Sequence, residues 1–89
     1  MLRISETSAG GPGTILRLDG RLVGPWVTEL EHACERTLAR GALTELDLGG
    51  VEYLDRRGVS LLVELRSRGV ALVAIPPFVQ EQMKAATAG

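Results

Sequence analysis

Alternating apolar and polar positions near the start of the chain predict a β-hairpin. Residues 2–6 alternate and indicate a first short strand, and residues 14–20 alternate again up to a glycine. Between them, the glycines and the proline of residues 7–13 interrupt the pattern and predict a loose connecting loop. We therefore expect two antiparallel strands in this part of the chain.

Two further strands are predicted in the second half of the sequence. The segment 42–54 alternates through about Leu48, and we expect Gly49 and Gly50 to end that strand. Residues 70–75 are a continuous apolar run of strand length, followed by two prolines. Such a run favours a strand covered on both faces or on most of one.

The segments that follow the second, third and fourth strands have apolar residues at helical spacing, which predicts helices there. Residues 25–40 carry an apolar stripe at that spacing, and Gly41 is placed to terminate the helix. A second helix is expected between Asp55 and Gly69, and a short third helix over 77–86. The order β-β-α-β-α-β-α predicts an α/β domain with a four-stranded mixed sheet and helices packed on it.

Composition narrows the class of protein. The chain has 89 residues, which suits a single domain, and 45% of them are hydrophobic, which is typical of a globular protein. The net charge of −1 predicts no general attraction to nucleic acid or to anionic membranes. We expect neither a signal peptide nor a membrane-inserted segment, and the single Cys34 fits a reducing cytoplasm.

The chain has few residues of the types that catalysis or metal binding requires. Cys34 lies on the apolar helical stripe and is expected to be a buried structural thiol, whereas His32 is expected at the surface. The chain offers no nucleophile, base and orienting group together, so we expect no enzyme activity, metal or cofactor. The glycine-rich segment 10–13 leaves a nucleotide-binding or small-ligand-binding alternative open. It lacks the following helix with Lys and Ser or Thr that phosphate-binding loops have.

Three segments resemble the STAS family, the sulfate-transporter and anti-sigma-factor-antagonist domains. The matching positions are Gly20 and Leu22 in the first segment, Leu46, Asp47, Leu48, Val51 and Asp55 in the second, and Gly58, Leu61 and Leu62 in the third. The resemblance spans about residues 2–83 and implies one STAS-like domain over 1–89. It further implies a bacterial protein-interaction module whose partner is an anti-sigma switch kinase, a lipid-transport ABC ATPase or a larger signalling assembly.

The chain departs from the family pattern in two ways. Phosphorylatable antagonists carry Ser or Thr directly after the turn aspartate, but Arg56 stands there, followed by Arg57. The resemblance therefore implies a module that is not switched by phosphorylation at the usual position, with Ser60 as a weaker candidate because it lies within the helix. Family members also usually continue into a further strand and helix. We therefore expect a less covered sheet edge, and a homodimer is one consequence.

The candidate site is the turn that begins the second helix. Asp55 is expected to cap that helix by accepting a hydrogen bond from the N–H of Arg57 or Gly58. Gly58 indicates either close packing against the sheet or the approach of a partner. Cations here face the positive end of the helix dipole, which costs about 0.3–1 kcal/mol each. Whether Arg56 and Arg57 form a contact surface, together with Ser60, or are only solvated stays open at this point.

Overall fold

The computed structural model describes residues 1–8, 10–11 and 13–88, so part of the predicted loop at 7–13 lies outside the described residues. The strands are β1 (Leu2–Ser8), β2 (Thr14–Leu22), β3 (Leu43–Leu54) and β4 (Ala71–Val73). The helices are α1 (Pro25–Ala39), α2 (Arg56–Ser67) and α3 (Pro77–Ala88). The predicted order of elements is confirmed.

The four strands form one mixed sheet in the order β1-β2-β3-β4. The β1–β2 hairpin is antiparallel, whereas β2–β3 and β3–β4 are parallel pairs. Each parallel connection contains a helix, as a crossover between parallel strands requires. The carboxyl ends of β2 and β3, and the loops that follow them, therefore lie at the same edge of the sheet.

Glycine does not end the second and third strands where the sequence suggested. β3 continues through Gly49 and Gly50 to Leu54. The sheet register shifts at this point, and a Cβ on Gly50 would overlap the carboxylate of Asp19 on β2. Glycine there makes room for a neighbouring side chain within a continuing strand. β2 likewise runs past its predicted end at residue 20 to Leu22.

The last strand is shorter and less covered than its apolar sequence suggested. Only Ala71–Val73 pair with β3, and Ala74 then adopts a left-handed backbone conformation with φ of 53°. Ala71 is exposed and Leu72 is half-buried. Among the described residues, the core lies on one face of the sheet, and no layer of described residues covers the outward side chains of β4.

A hydrophobic core fills the space between the sheet and the helices. Its strand residues include Leu16, Leu18, Leu22, Leu46, Leu48 and Leu54, and its helix residues include Val27, Leu30, Cys34, Leu62, Leu65, Val79 and Met83. Burying each of the large side chains stabilises the fold by about 1.5–3 kcal/mol. The other face of the sheet carries charged side chains, with Arg17 paired to Asp19 and Asp47.

Within the described ranges, no helix is both long and apolar enough to cross a membrane.

Candidate functional site

The candidate site lies at the turn where β3 ends and α2 begins. The backbone N–H of Asp55 donates to the carbonyl oxygen of Leu22 at 3.2 Å, which fixes the turn against the end of β2. One carboxylate oxygen of Asp55, Oδ1, accepts a hydrogen bond from the N–H of Gly58 at 2.8 Å. The expected helix cap is therefore present, with Gly58 rather than Arg57 as its donor.

The second oxygen of the same carboxylate reaches a different helix. Oδ2 of Asp55 accepts a hydrogen bond from the backbone N–H of Gly24 at 2.9 Å. Gly24 is the N-cap residue of α1 and has no side chain with which to cap it. One carboxylate thus lies at the N-termini of both α1 and α2, where the helix dipoles favour negative charge.

Sequence reasoning missed this second contact because its partners are 31 residues apart. A signal for it did exist. The first turn of α1 begins at Pro25 and follows Gly24, without Ser, Thr, Asp or Asn at the cap position. A helix start without its own capping side chain needs an acceptor from elsewhere, and Asp55 supplies one.

The hydrogen bonds keep Asp55 ionised. The N–H of Gly24 is the largest influence, and it lowers the pKa of the carboxyl below its ordinary value of 3.8. Partial burial opposes this effect, while the N–H of Gly58 and the charge of Arg57 add to it. The carboxylate is a hydrogen-bond acceptor that holds two helices, not a general acid poised near neutral pH.

Gly58 allows α2 to approach the sheet closely. A Cβ at this position would lie 2.7 Å from the carbonyl oxygen of Leu22 and 3.3 Å from the Cβ of Leu54. Gly58 itself is buried. Of the two explanations that the sequence offered for this glycine, close packing against the sheet is the one that the structure supports.

The two arginines differ in their surroundings, although both are exposed. The guanidinium of Arg57 donates to the hydroxyl oxygen of Thr28 at 3.3 Å and so connects α2 to α1. The side chain of Arg56 makes no hydrogen bond or ion pair with any residue in the described ranges. It is the first residue of α2, directly after the Asp55 cap.

A shallow groove runs along the outside of this turn, between α1 and α2. It encloses about 300 Å³ and is lined by Val27, Glu31, Arg56, Arg57, Ser60, Leu61 and Glu64. Ser60 is exposed there, so it is more accessible than its position within the helix had suggested. The predicted site residues thus divide into two groups. Asp55 and Gly58 form the support, and Arg56, Arg57 and Ser60 face solvent.

The remaining candidate residues lie apart from this turn. Cys34 is fully buried, and burial raises the pKa of its thiol to about 12, as expected of a structural cysteine. His32 is exposed. Among the described residues, no group of three His, Cys, Asp or Glu side chains is placed to hold a metal ion.

The glycine-rich segment does not have the surroundings of an anion site. The groove beside it is lined by Glu6, Thr7, Ser8, Gly11, Gly13 and Thr14, which include a carboxylate and no cation. A strand, β2, begins at Thr14. The described part of this segment therefore has neither the helix N-terminus nor the lysine that phosphate-binding loops use.

Comparison with known proteins identifies the family of this chain. The family model described as "Mlab, STAS domain" matches residues 5–88, which is nearly the whole sequence. The chain belongs to the STAS family. A search of curated proteins gives no significant match.

The solved structures of similar fold include an anti-sigma factor antagonist and an uncharacterised protein. The anti-sigma factor antagonist SpoIIAA in its unphosphorylated form superposes with a TM-score of 0.67 at 18% identity, over 89% of this chain and 79% of that one. An uncharacterised protein of the DUF3478 family from Shewanella loihica PV-4, with a SpoIIAA-like fold, has a TM-score of 0.57 at 14% identity. That match covers 98% of this chain and 77% of the other. At these identities the similarity concerns the fold.

Proposed function

We propose that this chain is a non-enzymatic protein-binding module that docks through the Asp55 turn and the first part of α2. The supporting observation is Arg56, which is exposed, unpaired within the described residues, and held at the helix start by a capped turn. A charge in this position is costly to the isolated helix, by about 0.3–1 kcal/mol. A partner that presents carboxylates to this surface offsets that cost.

The docking is constitutive in this proposal. The position directly after Asp55 carries a guanidinium instead of a hydroxyl, so a kinase has no acceptor there. Arg57 is positioned by its hydrogen bond to Thr28, and both arginines border the same groove. Ser60 borders it as well and remains a secondary candidate for modification, since its hydroxyl is exposed.

The proposed partner is a cytoplasmic protein of one of two kinds. The fold shared with an anti-sigma factor antagonist favours a switch kinase of the anti-sigma type or a larger signalling assembly. The family description "Mlab, STAS domain" favours the alternative, a regulatory subunit that contacts the ATPase of a lipid-transport ABC system. A nucleotide or other small ligand is a third possibility, but the groove at the glycine-rich segment, which has no cation among its lining residues, does not favour it. Pairing of two copies through a sheet edge also stays a prediction.

A pull-down with purified candidates tests this proposal. The switch kinase and the ABC ATPase encoded nearest to this chain are each tested with the wild type and with the Arg56→Glu, Arg57→Glu double variant. We expect the wild type to retain one of them and the double variant to lose it. Retention of every partner by the double variant would remove this surface from consideration.

Phosphorylation is tested separately by intact mass. We expect the wild type, incubated with the switch kinase and ATP, to keep its mass, and an Arg56→Ser variant to serve as the matched control that restores a hydroxyl. Stoichiometric phosphate on Ser60 of the wild type would contradict constitutive docking. A wild-type mass that stays unchanged after incubation with an active kinase would support it.

A further inference from the structure

An arginine and a tyrosine stack on the open face of the sheet, at the same edge as the Asp55 turn. The guanidinium carbon of Arg21 lies 5.3 Å from the centre of the Tyr53 ring. The two residues are register partners on β2 and β3, directly before the inward-facing pair Leu22 and Leu54. The Tyr53 residue is 51% exposed, which is high for a large aromatic residue.

The two arginines of β2 on this face differ in their ion pairs. Arg17, earlier on β2, forms ion pairs with Asp19 at 3.2 Å and with Asp47 at 3.4 Å. Arg21 forms no ion pair with any described residue. Its guanidinium has one face on Tyr53, which leaves its N–H groups available to an acceptor from outside the chain.

The stacked pair lies close to the proposed docking turn. Tyr53 precedes Arg56 by three residues, so their Cα atoms are separated by no more than about 11 Å. Arg21, Arg56 and Arg57 lie around this edge together with Glu52 and Asp55, while Glu31 and Glu64 line the groove beside Arg56 and Arg57. Both oxygens of Asp55 already accept backbone hydrogen bonds. Next to the turn, the open face therefore presents the Arg21 guanidinium and one exposed aromatic ring to an approaching partner.

We propose that Arg21 and Tyr53 form a second contact patch, which binds an acidic segment of a protein partner. The inference rests on the proposed docking function, and it adds that the docking partner contributes an acidic segment. A carboxylate of the segment accepts hydrogen bonds from the Arg21 guanidinium, and an apolar side chain beside it covers the Tyr53 ring. Tyrosine and arginine are enriched among the residues that carry binding energy at interfaces. Stacking on the ring also restricts the guanidinium before the partner arrives, which lowers the entropy cost of binding.

An NMR titration tests this patch without the natural partner. The isotope-labelled chain is titrated with a short peptide rich in glutamate and leucine, and with a matched peptide in which glutamine replaces glutamate. We expect saturable shifts at Arg21, Tyr53 and Arg56 with the acidic peptide only. Arg21→Gln should weaken apparent binding about tenfold, as the loss of a charge-assisted contact does.

Matched variants separate the patch from general charge attraction. Arg36→Gln removes an exposed arginine from the last turn of α1 and should leave the affinity near that of the wild type. Tyr53→Leu should weaken binding, whereas Tyr53→Phe should retain it, because the ring and not the hydroxyl makes the contact. Unchanged unfolding midpoints establish that each variant is folded.

Each of the following results would overturn the inference. One is equal weakening by Arg36→Gln and Arg21→Gln, and another is equal binding of the glutamine peptide. The third is a set of equally strong shifts at the same residues with anionic lipid vesicles, which would indicate a membrane surface in place of a protein segment. Failure of the peptide to bind removes the patch alone, since partner capture through Arg56 and Arg57 is measured independently.

Discussion

The carboxylate of Asp55 accepts a hydrogen bond from the backbone N–H of Gly24, 31 residues earlier in the chain. With its other oxygen it caps α2 through Gly58. The start of one helix is therefore tied to the start of the other by a single side chain. These two hydrogen bonds hold the turn from which Arg56 and Arg57 face solvent.

Replacing this carboxylate should cost stability. Asparagine has one acceptor oxygen, so Asp55→Asn leaves either Gly24 or Gly58 opposite an NH₂ group. We expect a loss of about 1–2 kcal/mol in the free energy of unfolding, and about 2–3 kcal/mol for Asp55→Ala. Urea unfolding measures both. Glu52→Gln, at an exposed carboxylate nearby, is the control and should change the free energy of unfolding little. If Asp55→Asn and Glu52→Gln lowered it equally, the two hydrogen bonds of Asp55 would not be the cause.

The same carboxylate should make stability depend on pH in the acid range. The hydrogen bond from Gly24 lowers its pKa in the folded state below the ordinary 3.8, so its stabilising contribution is fully present above about pH 4. It is lost as the pH falls through the folded pKa, where the folded state takes up the proton. The difference in unfolding free energy between wild type and Asp55→Asn should therefore be constant from neutral pH to about pH 4 and shrink below it. A difference that stays constant throughout, or grows in acid, would argue against this assignment.

Gly58→Ala should destabilise the protein although it improves helix propensity. Alanine gains about 1 kcal/mol over glycine within a helix. The added Cβ would lie 2.7 Å from the carbonyl oxygen of Leu22, so α2 or β2 must move. Overpacking of this kind costs about 1–3 kcal/mol, and we expect a net loss. Gly11→Ala, at a glycine with open space around it, is the control. A more stable Gly58→Ala variant would show that α2 does not need this close approach.

Cys34 should be unreactive in the folded protein. The thiol is buried, and burial raises its pKa to about 12, so almost no thiolate is present at neutral pH. We expect reaction with a disulfide reagent to be slow in buffer and rapid in urea, because only opening of the core exposes the thiol. Rapid reaction of the native protein would place Cys34 at an accessible surface instead.

The order of elements followed from the sequence because periodicity is a local signal. The α1 stripe and the glycine at residue 41, which has a positive φ, were enough to place that helix within a residue at its end. The length of β3 was not predictable in the same way, since Gly50 is explained by the side chain of Asp19 on the neighbouring strand. β4 was overestimated because its apolar run does not reveal that one face of the sheet is open.

The candidate site was predictable only where its contacts join residues close together in the sequence. The Asp55 cap involves residues three apart, so the sequence was sufficient to propose it. The bonds from Gly24 to Asp55 and from Arg57 to Thr28, and the stacking of Arg21 on Tyr53, join residues about thirty positions apart. Such pairs come together only through the parallel β2–β3 crossover, and no local pattern specifies them.

The central claim is that Arg56 and Arg57 form a constitutive docking surface, and isothermal titration calorimetry with the retained partner tests it most directly. Wild type is compared with the Arg56→Glu, Arg57→Glu variant and with Arg3→Glu, Lys84→Glu, which makes the same charge change at exposed residues elsewhere. Glutamate favours the dipole at a helix start, but the first variant also loses the hydrogen bond from Arg57 to Thr28 and gains negative charge beside Asp55, so its unfolding midpoint is measured to establish that it is folded. We expect it to bind at least about tenfold more weakly, while the control binds like the wild type. Equal dissociation constants for all three proteins would contradict the claim.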